Sequence, residues 1–296
     1  MTREGSRPLP TGVAWALTLL ISDLPNIVWS RFAPEPDWLV WPKVALLAVA
    51  LALFLALWQL RPLWRYAALF LAYLLIDQLW WRIAATPLWE SWFGGAPTDF
   101  APLWGGRQAR KLGVLATMLP VARAVLGSRQ AFFLAAGAWD APLEPVRWLG
   151  IRAGERWSGF GFIFGSIFAG GSLLFVVLAY LPLWRNLPAA LGMVPLAVLY
   201  ALLNGLAEEL TMRAPQLGAV HEVLGRGPAL AMLSVYFGLA HVLYGMPNGA
   251  VGFLMVALVG YLFGKSMLET RGSRWAVLIH AAADVPVFLL YAVTAA

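Results

Sequence analysis

Asn204-Gly205-Leu206-Ala207-Glu208-Glu209-Leu210-Thr211-Met212-Arg213 is the stretch on which the reading of this chain turns. It closes an apolar run, Pro195 to Ala207, of the kind a bilayer holds. A charge at the centre of a membrane helix costs roughly 2.5–3.5 kcal/mol on insertion scales. Two adjacent carboxylates and an arginine in such a place imply a polar cavity, mutual pairing or chemistry. Helical spacing divides their work. Glu209 and Arg213 are four apart with the acid first, the favourable orientation for a same-face ion pair. Glu208 is rotated about 100° away and has Met212, not a base, four residues on. That makes Glu208 the candidate general base. The alternative is a purely structural ion-pair cluster that holds helices together.

Around that stretch the composition is that of a membrane protein. Of 296 residues, 61% are hydrophobic and 12% charged, where a soluble domain carries about a quarter charged. The expected fold class is all-α, a polytopic transmembrane helical bundle of about eight to nine spans. There is no Cys, which excludes disulfides, thiolate catalysis and Cys-bound metal. The net charge of +6 comes from basic residues scattered between apolar spans. It fits cytoplasmic loops and gives no reason to expect nucleic acid. The chain reads as an integral, multi-pass membrane protein. Its frequent Ala, Arg, Trp and Pro hint at a GC-rich bacterial genome, and the expected location is a bacterial inner (plasma) membrane.

Windows of about 20 apolar residues fall near 11–30, 43–60, 66–82, 112–127, 160–182, 189–207, 228–244, 248–265 and 275–293. The first holds Asp23 and Pro25 and is read as a retained span, not a cleaved leader. The window at 112–127 is short, with Pro120 and Arg123, and either crosses or lies at the interface. Trp residues gather where runs end, as an aromatic belt does. With the N-terminus inside and all nine windows crossing, Arg3, Arg7, Arg61, Arg65, Arg129–Arg156, Arg213–Arg226 and Lys265–Arg274 lie inside. Arg107, Arg110 and Lys111 then break the positive-inside rule. Residues 83–107 read as a polar loop and 129–158 as an amphipathic segment on the membrane face. Asp23, Asp77 and Asn204 are expected to pair across helices, and Lys43 and Arg185 to snorkel. His221 and Glu222 are assigned to a solvated loop.

Three further polar residues lie in the last windows: His241, and His280 with Asp284 four residues on and so on one helix face. If the Glu208 helix ends near Leu217 and its neighbours start near Gly227 and Ser273, depths follow from the helical rise. They are roughly 14 Å for Glu208, 21 Å for His241, 10 Å for His280 and 16 Å for Asp284. The groups overlap in depth. A carboxylate and an imidazole can activate water, and a second His with an acid can hold an oxyanion. Glu208, His241 and His280 equally match the His₂Glu ligand set of a catalytic zinc site. The cofactor expectation is therefore a divalent metal such as zinc, or none. Asn204, one turn before Glu208, is placed to orient it.

Glu208-Glu209-x-x-x-Arg213, Phe237-x-x-x-His241 and His280-x-x-x-Asp284 resemble, in order, the three motifs of the CPBP family. These are the CAAX proteases and bacteriocin-processing (Abi) enzymes. The resemblance covers about residues 190–293 of what reads as one integral-membrane domain over 1–296. It implies an intramembrane endopeptidase with a helical bundle of about eight spans. By motif position, Glu208 is the base, with His241 assisting, and His280 and Asp284 hold the oxyanion. Glu209 and Arg213 support the site. An ionised Asp284 would repel an oxyanion, so it is either protonated or orients His280. The implied partners are a lipid bilayer and a peptide or protein substrate, lipidated or not; oligomeric state is open. The competing readings are a non-catalytic or proton/ion-coupled membrane protein, which would use the same buried cluster, and a bacteriocin self-immunity protein.

Overall fold

The computed structural model describes residues 8–95 and 99–296. Arg3 and Arg7, on which the expected orientation leans, lie outside them. The described residues form no strand; bridges occur between Pro142 and Arg156 and between Val146 and Ile151. In chain order the helices are α1 (Pro8–Ile21), α2 (Leu24–Trp29), α3 (Val40–Ala56), α4 (Trp64–Ala84), α5 (Pro87–Phe93) and α6 (Phe100–Leu126). There follow α7 (Trp157–Ala179), α8 (Leu187–Ala190), α9 (Val194–Glu208), α10 (Ala214–Leu224), α11 (Arg226–Leu243), α12 (Gly249–Thr270) and α13 (Arg274–Ala295). The all-α class is thus observed.

Among the described residues, six helical segments are long and apolar enough to cross a membrane: Asp37–Ala56, Arg61–Ala84, Trp157–Ala179, Leu181–Leu224, Gly249–Thr270 and Arg274–Ala295. The windows at 112–127 and 228–244, in α6 and α11, are not among them. The window at 11–30 is broken between α1 and α2, where the Ser22 hydroxyl accepts from Leu24 N at 3.1 Å and Pro25 opens the second helix. Residues 83–107, expected as loop, carry α5 and the first turns of α6. The expected loop at 213–226, with His221 and Glu222, is the helix α10.

Two compact units divide the chain. The first comprises Met1–Ile76, Met118–Leu134 and Met212–Lys265. Its centre is aromatic: the Thr18 and Tyr66 hydroxyls are 2.6 Å apart, and Phe70 packs edge-on against Tyr66 and Tyr236. Lys43, expected to snorkel, is buried and faces Asp23 at 3.6 Å. At Gly218 the backbone of α10 touches another segment so closely that a Cβ would lie 2.1 Å from the Ala131 carbonyl oxygen.

The second unit comprises Asp77–Thr117, Ala135–Thr211 and Ser266–Ala296. In it α13 packs against both α7 and α9. Apolar side chains gain little from meeting each other in lipid, so close packing of small residues must hold such helices together. Gly161 lies under the Trp275 ring and Gly165 under Ile279. Ala197 and Ala201 pack with Phe288 and Ala292 in one cluster. The opposite side of α7 presents Phe162, Ile163, Ile167, Leu174 and Leu178, none less than 59% exposed, as a lipid-facing surface should. Residues 139–157 fold back on themselves, with Val146 N donating to Ile151 O at 3.1 Å and Trp157 N to Ala141 O at 3.0 Å. This ribbon is fixed to α13 by Trp139, stacked on Trp275 with centroids 4.1 Å apart.

Candidate active site

Three helices of the second unit, α6, α9 and α13, bring the parts of the site. On α9, Asn204 and Glu208 are four residues apart and share a face. On α13, His280 and Asp284 do the same. Between them stands Gly205: a Cβ there would lie 3.2 Å from Ala281 N and 3.3 Å from His280 Cβ. The missing side chain lets α9 and α13 touch at the level of their polar residues. Further along α13, Pro286 has no N–H for the carbonyl four residues back. The Ser172 hydroxyl of α7 donates to the adjacent carbonyl, Ala283 O, at 2.7 Å. Ser172 is thus a helix-packing residue.

The helix is not regular past Glu208. Glu209–Arg213 form a π-turn, and the cause is two residues beyond it. Pro215 cannot donate to the Thr211 carbonyl, and its ring would clash with that oxygen in an α-helix. The hydrogen-bond register loosens to i→i+5 ahead of it. The α-helical spacing assumed for Glu209 and Arg213 is therefore not kept. Helix α10 then runs to Leu224, beyond the Leu217 end assumed for the depth calculation. What brings Glu208, His280 and Asp284 together is direct side-chain approach between α9 and α13.

That approach is close. Glu209 has 0% side-chain exposure and its Oε1 is 3.0 Å from His280 Nδ1. With Nδ1–H donating to this carboxylate, the ring is fixed and Nε2 is turned the other way. Nε2 lies 3.7 Å from Glu208 Oε2 and 3.5 Å from Asp284 Oδ2, separations that suit a shared water. Asp284 Oδ2 also accepts from Asn204 Nδ2 at 2.8 Å. The Asn204 side-chain oxygen accepts from Lys111 Nζ, and Lys111 Nζ is 2.6 Å from Glu208 Oε1. The circuit Glu208–Lys111–Asn204–Asp284–His280–Glu208 is closed, with Glu209 behind the imidazole. Exposure separates the members: Glu208 is 19% exposed and Lys111 29%, Asp284 21% and His280 9%.

Five of the seven residues expected at the site, Asn204, Glu208, Glu209, His280 and Asp284, meet in this unit. Asn204 and Asp77 pair across helices as expected, the latter with Arg110 at 2.6 Å. Arg213 and His241 belong to the first unit. There the Arg213 guanidinium stacks on Phe237 at 4.4 Å and donates from Nη1 to Gly260 O at 3.1 Å. His241 Nδ1 is 3.1 Å from Phe237 O; as donor in that bond it leaves Nε2 as the lone-pair nitrogen.

The residue that sequence reasoning missed is Lys111. It had been placed in a loop-end cluster with Arg107 and Arg110, whereas it sits well inside α6. A signal for it existed: Glu208, Glu209 and Asp284 outnumber Arg213, so the buried charge called for another cation. Among the described residues no three His, Cys, Asp or Glu side chains are grouped so as to hold a metal ion. Glu208 pairs with the Lys111 ammonium at 2.6 Å, and the steps proposed for this site are those of the chain's own side chains.

A family model described as type II CAAX prenyl endopeptidase Rce1-like matches residues 188–286. The matched segment contains all seven expected site residues and excludes Lys111. No curated protein and no solved structure matches the chain.

Proposed function

Residues 188–286 carry an Rce1-like domain of the CPBP family of membrane endopeptidases, and from that premise we propose that the chain hydrolyses a peptide bond with Glu208 as the water-activating base. The observation that carries the reading is the contrast between two neighbouring carboxylates. Glu209 is sealed against His280 at 0% exposure. Glu208 is 19% exposed and its second oxygen lies 3.7 Å from Nε2 of the same imidazole.

A water beside the 3.7 Å gap between Glu208 Oε2 and His280 Nε2 is within hydrogen-bond reach of both. Glu208 takes one of its protons as the oxygen adds to the substrate carbonyl, and returns it to the leaving amine. Glu209 holds the ring, so that Nε2 keeps its direction through the cycle. Asp284 accepts from Asn204 and faces Nε2. In this reading it orients His280 and does not touch the oxyanion, the second of the two roles open to it. His241 enters as an assisting residue by its motif alone, Phe237-x-x-x-His241.

The substrate class is a membrane-associated peptide, and the description of the matched family makes a prenylated cysteine peptide the first choice. The test uses purified protein in liposomes, given matched peptides with and without a farnesyl group. Mass spectrometry should show release of the C-terminal fragment from the lipidated peptide, and none with Glu208→Gln. Cleavage by that variant at the wild-type rate, or no cleavage of any peptide by folded wild-type protein, would overturn the proposal. Equal cleavage of both peptides would remove the lipid from it.

A further inference from the structure

Lys111 stands apart from the rest of the site, because it lies outside the segment that matches the family. Its neighbours on α6 have structural work. Arg110 is held by Asp77 at 2.6 Å and lies over the Trp81 ring at 4.1 Å. Arg107 lies over Trp104 at 4.4 Å. Lys111 alone of the three is turned to Glu208 and Asn204. Helix α6 is well anchored on both sides of it. The Tyr200 hydroxyl donates to Ala101 O at 2.8 Å, and Trp80 Nε1 donates to the Thr117 hydroxyl at 3.1 Å. A Cβ at Gly113 would run into the Trp80 ring, so that side is closely packed as well. The ammonium is positioned by the scaffold, as a preorganised site requires.

An ammonium has three N–H donors. One is used by Glu208 and one by Asn204. The third has no partner among the described residues, on a side chain 29% exposed. The arrangement leaves one strong donor, carrying a full charge, directed to the open side of the site.

On the hydrolytic reading above, we infer that Lys111 is a catalytic residue that donates to the developing oxyanion. In the resting site the ammonium balances the Glu208 carboxylate. As the water O–H bond breaks, its proton goes to Glu208, which becomes neutral. The water oxygen bonds to the carbonyl carbon, and the π electrons move onto the carbonyl oxygen. Negative charge has moved from the carboxylate to that oxygen, and Lys111 follows it with the third N–H. When the C–N bond breaks, the carbonyl re-forms and the Glu208 proton passes to the leaving amine. The carboxylate is restored and Lys111 returns to it. No net charge enters or leaves this partly buried place at any stage. An interaction that is strongest when the charge sits on the substrate lowers the barrier selectively.

The experiment compares wild type with Lys111→Met and Lys111→Gln on the cleaved peptide and on its phosphonate analogue, which is tetrahedral and anionic. Removing one oxyanion donor costs about 10²–10³ in kcat. Both variants should lose that much in kcat with KM nearly unchanged, and phosphonate affinity should fall with kcat. Lys111→Gln keeps a hydrogen bond to Asn204 and decides the matter if Lys111→Met does not fold, as judged by its melting transition in detergent. A kcat within twofold of wild type in Lys111→Gln would overturn the inference. So would an equal weakening of peptide binding, read as a rise in KM, and of phosphonate binding, which marks a merely structural role. Either result, with Glu208→Gln silent, leaves the peptidase reading standing; a wild-type protein that cleaves nothing removes both.

Discussion

Each unit of this molecule buries charge, and the two do it differently. In the first, Arg213 is 2% exposed, lies against the faces of Phe237 and Phe263 and donates to a backbone carbonyl. A Cβ at Gly260 would come within 3.0 Å of its Nη1, so the cavity fits the guanidinium tightly. In the second, Glu208, Lys111 and Asp284 satisfy one another while each stays about a fifth to a third exposed. The comparison teaches how to read a charge in a membrane helix. One sealed against aromatic faces is a structural element, whereas a set left partly open can receive water and a substrate.

Four expectations sharpen this contrast. The largest effect belongs to His280, the hub of the open set: His280→Ala should lower kcat by about 10²–10⁴-fold, the range for a positioned acid–base group. Steady-state kinetics on the cleaved peptide would measure it, and a loss under tenfold would move the chemistry elsewhere. Asn204→Ala removes the donor to Asp284 and the acceptor for Lys111. It should cost about 10–100-fold, as loss of an orienting partner does, with melting temperature nearly unchanged. In the first unit the expected loss is of stability instead. Gly218→Ala overpacks the contact with Ala131, at a cost of about 1–3 kcal/mol. It should lower the melting temperature in detergent while the surviving folded protein keeps its kcat.

The smallest effect is a pH dependence outside the spans. Hydrogen bonds from Ser158 and Arg156 hold the Asp140 carboxyl below its ordinary value of 3.8. A depressed carboxylate stabilises the folded state above its unfolded pKa, and that contribution disappears as pH falls through the folded value. Asp140 is exposed to solvent, so the change below about pH 4 should be slight. Asp140→Asn should abolish it in melting curves taken across that range.

Much of this was readable in the sequence because lipid enforces it. The apolar runs gave helices, and the rarity of charge in them singled out Glu208, Glu209, His280 and Asp284 before any contact was known. The His280–Asp284 spacing placed both on one face of α13, where they are found. Other parts lay beyond a helical-wheel argument. The π-turn at Glu209–Arg213 depends on Pro215, which was visible, but a Pro early in a helix reads as a start signal more readily than as a register shift. The extension of α10 to Leu224 hid behind the charges of Arg213, His221 and Glu222. Lys111 pairs with residues 93 and 97 positions away. An apolar window beginning at 112 cut α6 just after it. Local periodicity does not carry information over that distance; only the charge imbalance did.

The central claim is that two adjacent carboxylates have different jobs: Glu208, partly exposed, moves a proton, and Glu209, sealed, holds the imidazole. The most direct measurement is kcat for Glu208→Gln and Glu209→Gln on one peptide, with folding of both checked in detergent. The account predicts turnover at background for the first. For the second it predicts a loss of about 10–100-fold with activity still measurable. Equal losses, or a silent Glu209→Gln beside an active Glu208→Gln, would contradict it.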